Sequence, residues 1–179
     1  MKKIGRLDRP DNSGSAQLFT NPVLERLSRT HISIPIALFL GVGLYAFYIG
    51  ISTTSISFTL ALALFLGGYF TFTLVEYLLH RYLYHMVPDT KFKDKLQYNV
   101  HGVHHDYPKD KDRLAMPPFI SGLYAVILYF LFSFLMGDFS LYFLPGFLVG
   151  YASYLGVHYI VHAFQPPMGE SCHSPLQRS

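Results

Sequence analysis

Tryptophan is absent from the chain, cysteine occurs once, at Cys172, and charged side chains make up only 14% of the 179 residues. A single cysteine excludes a disulfide scaffold. The charge deficit, set against about 25% in soluble domains, points to a lipid environment. In place of charge the chain is 51% hydrophobic, with 16 Phe and 14 Tyr, and its mean hydropathy is +0.28. Content this apolar excludes disorder, because such a chain collapses or inserts. The length allows one domain. Nine histidines stand among the few polar residues, and they need the same explanation as the apolar excess.

The net charge of +3 is too small to point to nucleic acid, and it falls in blocks. Lys2, Lys3, Arg6, Arg9, Arg26 and Arg29 lie within residues 1–30, and Arg81, Lys91, Lys93, Lys95, Lys109, Lys111 and Arg113 within 80–116. Only Arg178 lies elsewhere. The intervening stretches contain four segments suited to a hydrocarbon core about 30 Å thick, which takes roughly 20 residues of helix. They run near 34–51, with Ser28–Thr30 as candidate caps, then 56–79, 119–136 and 139–157. A short uncharged turn at Ser52–Ser55 and a very short one at Gly137-Asp138, both without Lys or Arg, join them into two tight hairpins, and Pro117-Pro118 opens the third.

The expected fold is therefore all-α: an integral-membrane four-helix body of two helical hairpins under a cytoplasmic, His-rich, metal-binding cap. The first apolar stretch begins too far from Met1 for a cleavable signal peptide. Basic residues in short loops mark the cytoplasmic side, which makes the chain multi-pass with both ends inside. Residues 1–30 form a cytoplasmic segment, 31–167 the membrane domain and 168–179 a divergent tail.

The histidines follow this orientation. Helical rise carries His80 about 36 Å beyond Ile56 and His158 about 28 Å beyond Phe139, both at the inner boundary. Three clusters result: His80/His85, His101/His104/His105 and His158/His162. His158 and His162 stand about 40° apart on a helix face, a good spacing for shared ligation. His80 and His85 stand about 140° apart, so they flank a dinuclear site or need a helix end between them. Imidazole suits Fe, Zn, Cu and Ni, and several imidazoles at one depth suggest more than one ion. His31 reads as an ordinary interfacial residue and His173 as solvated tail. Glu76, one turn before His80, reads either as a partner orienting a ligand or as a snorkelling carboxylate. The tyrosines read as an interfacial belt. Arg81, Lys109 and Arg113 read as lipid head-group contacts or as plain positive-inside charge.

Leu78-Leu79-His80-Arg-Tyr-Leu-Tyr-His85, His101-Gly-Val-His104-His105 and Arg113-Leu-Ala-Met-Pro-Pro118 together resemble the fatty acid hydroxylase/sterol desaturase superfamily, and within it the fatty acid 2-hydroxylase branch. The resemblance runs over about Val75–Gly169. It implies a membrane enzyme of four spans whose His80, His85, His101, His104, His105, His158 and His162 ligate two Fe ions, or Zn in the isolated protein, with no catalytic residue beyond the ligands. It further implies O2 as co-substrate, an external electron donor as separate redox partner, and hydroxylation of a fatty acyl lipid at C2. Ala163 stands where the family often has His, and Met168–Ser179 offers only His173 where the family has a final His-x-x-His-His box. The tail therefore reads as truncated or frame-shifted, and residues 1–30 as too short for the haem domain fused to some relatives.

Three other classes compete. From the boxes alone a desaturase or a zinc-dependent membrane hydrolase stays open. A haem-binding membrane cytochrome predicts ligands facing each other within the bilayer. A metal transporter predicts His or acidic residues near the midplane, where these spans have none.

Overall fold

The computed structural model describes residues 14, 15, 17, 19–84, 89–97, 106–107 and 110–164, with the side chains of 96, 97 and 162–164 left out. The described residues form helices and no strand: α1 (Pro22–Leu27), α2 (Ser33–Thr53), α3 (Phe58–Leu79), α4 (Lys91–Gln97), α5 (Pro118–Met136) and α6 (Ser140–Phe164). A π-helical turn, His80–Tyr84, extends α3, and short 3-10 turns occupy Lys111–Arg113 and Gly137–Phe139. Three segments are long and apolar enough to cross a membrane: Ser33–Thr53, Phe58–Tyr84 and Lys111–Val161. The third is 51 residues long and contains α5 and most of α6.

Local chemistry sets the helix ends. The α2 start is not capped by Ser28–Thr30, as the sequence suggests. The His31 ring accepts from the Ser33 backbone at 3.3 Å, because Ser28 instead bonds within α1 and to Arg113. At the other end Ser52, Thr53 and Thr54 hydroxyls donate to the carbonyls of Tyr48, Ile49 and Gly50. Each hydroxyl thus finds an acceptor within its own helix, adding a second bond to a carbonyl such as that of Gly50, which also accepts from Thr54 N at 3.0 Å. Ser57 caps α3 by accepting from Leu60 N. Between α5 and α6 the chain reverses at Gly137, whose φ of 55° favours glycine.

The central element is α6, which packs most extensively on α3, then on α2, with α5 beside it. Phe39, Leu144 and Leu148 are fully buried at its centre, with Phe72, Phe132 and Phe147 around them. Close approach of α3 and α6 depends on glycine. A Cβ on Gly146 would run into the Phe65 carbonyl, and one on Gly68 into the Phe143 carbonyl. Gly150, one turn after Gly146, lies against Phe72 and Tyr69. Small residues four apart let helix backbones touch where lipid offers no hydrophobic drive to association. The outward faces carry Leu44, Phe58, Phe70, Phe119 and Phe134, all well exposed, as a lipid-facing surface does.

The tyrosine belt is corrected in part. Tyr142 is 2% exposed, and its hydroxyl pairs with Thr54 Oγ1 at 2.9 Å. Tyr151 stacks between Phe39 and Phe72 at centroid distances of 4.8 and 5.1 Å. These rings lie inside the bundle because α6 supplies one face to α2 and another to α3, leaving its aromatics little lipid contact.

Candidate metal site at the α3–α6 end

The π-helical turn places His80 at the end of α3, where its backbone N–H bonds to the carbonyls of Glu76 and Tyr77. Turns of this kind are rare and concentrate at functional sites. Glu76 lies one helical turn earlier, with Oε1 at 3.9 Å from His80 Nδ1. Tyr154 of α6 lines the same cleft as Glu76, its hydroxyl facing that carboxylate, and Glu76 Oε1 is buried with no hydrogen-bond partner among the described residues. One turn after Tyr154 comes His158, whose ring stacks on Tyr154 with centroids 5.5 Å apart and planes at 26°. The rings of His80 and Tyr84 meet edge-on at 5.8 Å. A cleft of about 440 Å³ opens here, lined by Thr73, Glu76, Tyr77, His80, Arg81 and Tyr154.

Of the sequence-derived candidates, the structure brings His80, Glu76 and His158 to one end of the α3–α6 pair. His162 lies on α6 with its side chain outside the described residues. His85, His101, His104, His105, Lys109 and His173 also fall outside them. Among the described residues no group of three or more His, Cys, Asp or Glu could hold a metal ion. Tyr154 is the residue that sequence reasoning does not single out. A signal for it exists, since it stands four before His158 and so shares its helix face.

The basic candidates separate. Arg81 donates from Nη1 to the Tyr77 hydroxyl at 2.6 Å, and its guanidinium lies over the Tyr77 and Tyr82 rings. It therefore stays at the cleft rim. Arg113 is occupied elsewhere: its side chain is 3% exposed and ion-paired with Glu25 and Asp110, and Nη1 donates to Ser28 Oγ at 3.1 Å. With Thr30 N bonded to the Asp112 carbonyl at 2.9 Å, Arg113 ties the segment before α2 to the segment before α5. Arg113→Ala should cost about 2 kcal/mol, the scale of stranding a buried charged acceptor, while Arg29 still faces Glu25. Thermal unfolding in detergent, with Arg113→Lys recovering only part of the loss, checks this.

Residues 65–177 match the family model described as fatty acid hydroxylase. Over 159 residues the chain is 34% identical to the ceramide very long chain fatty acid hydroxylase scs7 of Schizosaccharomyces pombe, covering 87% of this chain and 45% of that one. It is 30% identical to fatty acid 2-hydroxylase of Homo sapiens over 179 residues, covering 88% and 48%. A solved structure of full-length scs7p, with only its hydroxylase domain visible, matches with a TM-score of 0.74 at 32% identity, covering 87% of this chain and 60% of that one. The chain thus spans about half the length of the curated relatives it matches.

Proposed function

The chain belongs to the fatty acid hydroxylase family, and on that premise we propose that it hydroxylates a fatty acyl chain, of a free fatty acid or a lipid, at C2. The family is generally non-haem diiron and O2-dependent. The described residues fit such a group. Two imidazoles, His80 and His158, reach the same end of two helices, and a buried carboxylate oxygen with no hydrogen-bond partner among the described residues lies 3.9 Å from one of them. His80, His85, His101, His104, His105, His158 and His162 would hold the two ions. Bound iron, with O2 and electrons from a separate donor, supplies the chemistry that oxidises a C–H bond.

The protein's own part is to hold ligands, seat the acyl chain and keep water out. The π-helical turn supports using His80 together with His85, because i→i+5 bonding draws positions five apart towards one face. Glu76 orients His80. Arg81 at the cleft rim, with Lys109, serves the lipid head group. Residues 31–167 form the hydroxylase domain, following the cytoplasmic segment 1–30 and preceding the tail 168–179. In this reading α2, α3, α5 and α6 cross the bilayer as two hairpins with both chain ends inside, so the site lies on the cytoplasmic face. A head group at that interface leaves the first acyl carbons nearest the ligands, which favours C2.

The observation that carries the reading is the convergence of His80 and His158 through Glu76 and Tyr154. Lipid mass spectrometry of cells expressing the chain, with iron and reductant supplied, should find 2-hydroxyacyl lipids heavier by one oxygen atom. Absence of that product would sink the hydroxylase reading, and a new double bond would point to desaturation.

A further inference from the structure

Glu76 and Tyr154 occupy matching positions on facing helices. Each stands one turn before a histidine on its own helix, Glu76 before His80 and Tyr154 before His158. Tyr154 lines one cleft with Glu76 and His80, its hydroxyl facing the Glu76 carboxylate, while its ring lies flat against His158 at 5.5 Å. One side chain thus touches the His158 ring directly and reaches His80 through a carboxylate that lies 3.9 Å from His80 Nδ1. Phe72 supports the same ring from α3, with centroids 6.1 Å apart. The glycine contacts of Gly68, Gly146 and Gly150 bring α3 and α6 close enough for such a short bridge.

From this arrangement we infer that Tyr154 is a positioning residue that couples the metal-binding histidine of α3 to that of α6. The inference rests on the metal reading above. The ring limits rotation of His158 by stacking. The hydroxyl holds Glu76 in the rotamer that keeps a carboxylate oxygen beside His80 Nδ1, favouring the tautomer with the proton there and leaving Nε2 as the donor atom. Outer partners of this kind change metal affinity by about 10- to 100-fold. A tyrosine that only filled space would retain its contribution as phenylalanine.

The test uses the full chain in detergent, freed of metal and titrated with Co(II), whose visible absorption bands report ligand number and geometry. Tyr154→Phe keeps the ring and its stacking, so its unfolding temperature should stay near that of the wild type. Its Co(II) affinity should fall about 10-fold, with the bands displaced. Glu76→Gln should fall likewise, and the double variant should be little worse than either, because both break one link. Wild-type affinity and bands in Tyr154→Phe, or fully additive losses in the double variant, would overturn the inference while leaving the metal reading intact. A lower unfolding temperature with unaltered bands would reduce Tyr154 to packing. A wild-type chain that takes up no Co(II) would overturn the metal reading and the inference with it.

Discussion

His80→Ala and His158→Ala are each expected to lower formation of the hydroxylated lipid by at least about 100-fold, beyond the loss typical of an outer-shell partner. Both side chains lie at the one end of the α3–α6 pair where Glu76 and Tyr154 line a common cleft. On the proposed reading, removing either imidazole takes away a metal donor, and no third His side chain is described there. His104→Ala, in the second sequence cluster, should abolish product equally. Product is measured by lipid mass spectrometry and bound metal by elemental analysis of the purified protein. Full activity in His80→Ala or His158→Ala would remove that residue from the ligand set. Normal unfolding temperatures in these variants should accompany the loss, because His80 is only half-buried.

Gly146→Ala is expected to lower stability by about 3 kcal/mol, the upper end of what overpacking costs. The added methyl group meets the Phe65 carbonyl and lies 3.0 Å from the Phe65 Cα. These are backbone atoms of α3, which cannot turn aside as a flexible side chain does. The helices must separate, and the separation reaches Glu76 and Tyr154 further along the same interface. Gly146→Ala should therefore weaken metal uptake as well as lower the unfolding temperature. Gly41→Ala, where a Cβ meets nothing within 4 Å, provides the control and should change neither. An unaltered unfolding temperature in Gly146→Ala would mean that α3 and α6 do not approach as closely as described.

Helix placement is legible in the sequence because charge is confined to a few blocks. Uncharged apolar runs must satisfy their own backbone, and in lipid a helix does so within one segment. Gly137 and the Pro117-Pro118 pair mark two of the breaks for the same local reasons. The capping role of His31 is not legible, since a histidine at a helix start leaves little trace in a pattern. Arg113 looks in sequence like one more basic residue of a cytoplasmic loop. Only a folded neighbourhood shows that Glu25, 88 positions away, buries it.

The site divides along the same line. Spacing alone puts Glu76 one turn from His80 and marks three histidine clusters, since those relations lie within single segments and follow from helical period. The pairing of α3 with α6 depends on Gly68, Gly146 and Gly150 meeting backbones that are distant in sequence, and such contacts have no local signature. Tyr154 falls on that side too. Its four-residue offset from His158 is readable, but its reach to Glu76 exists only once the glycines have brought the two helices together.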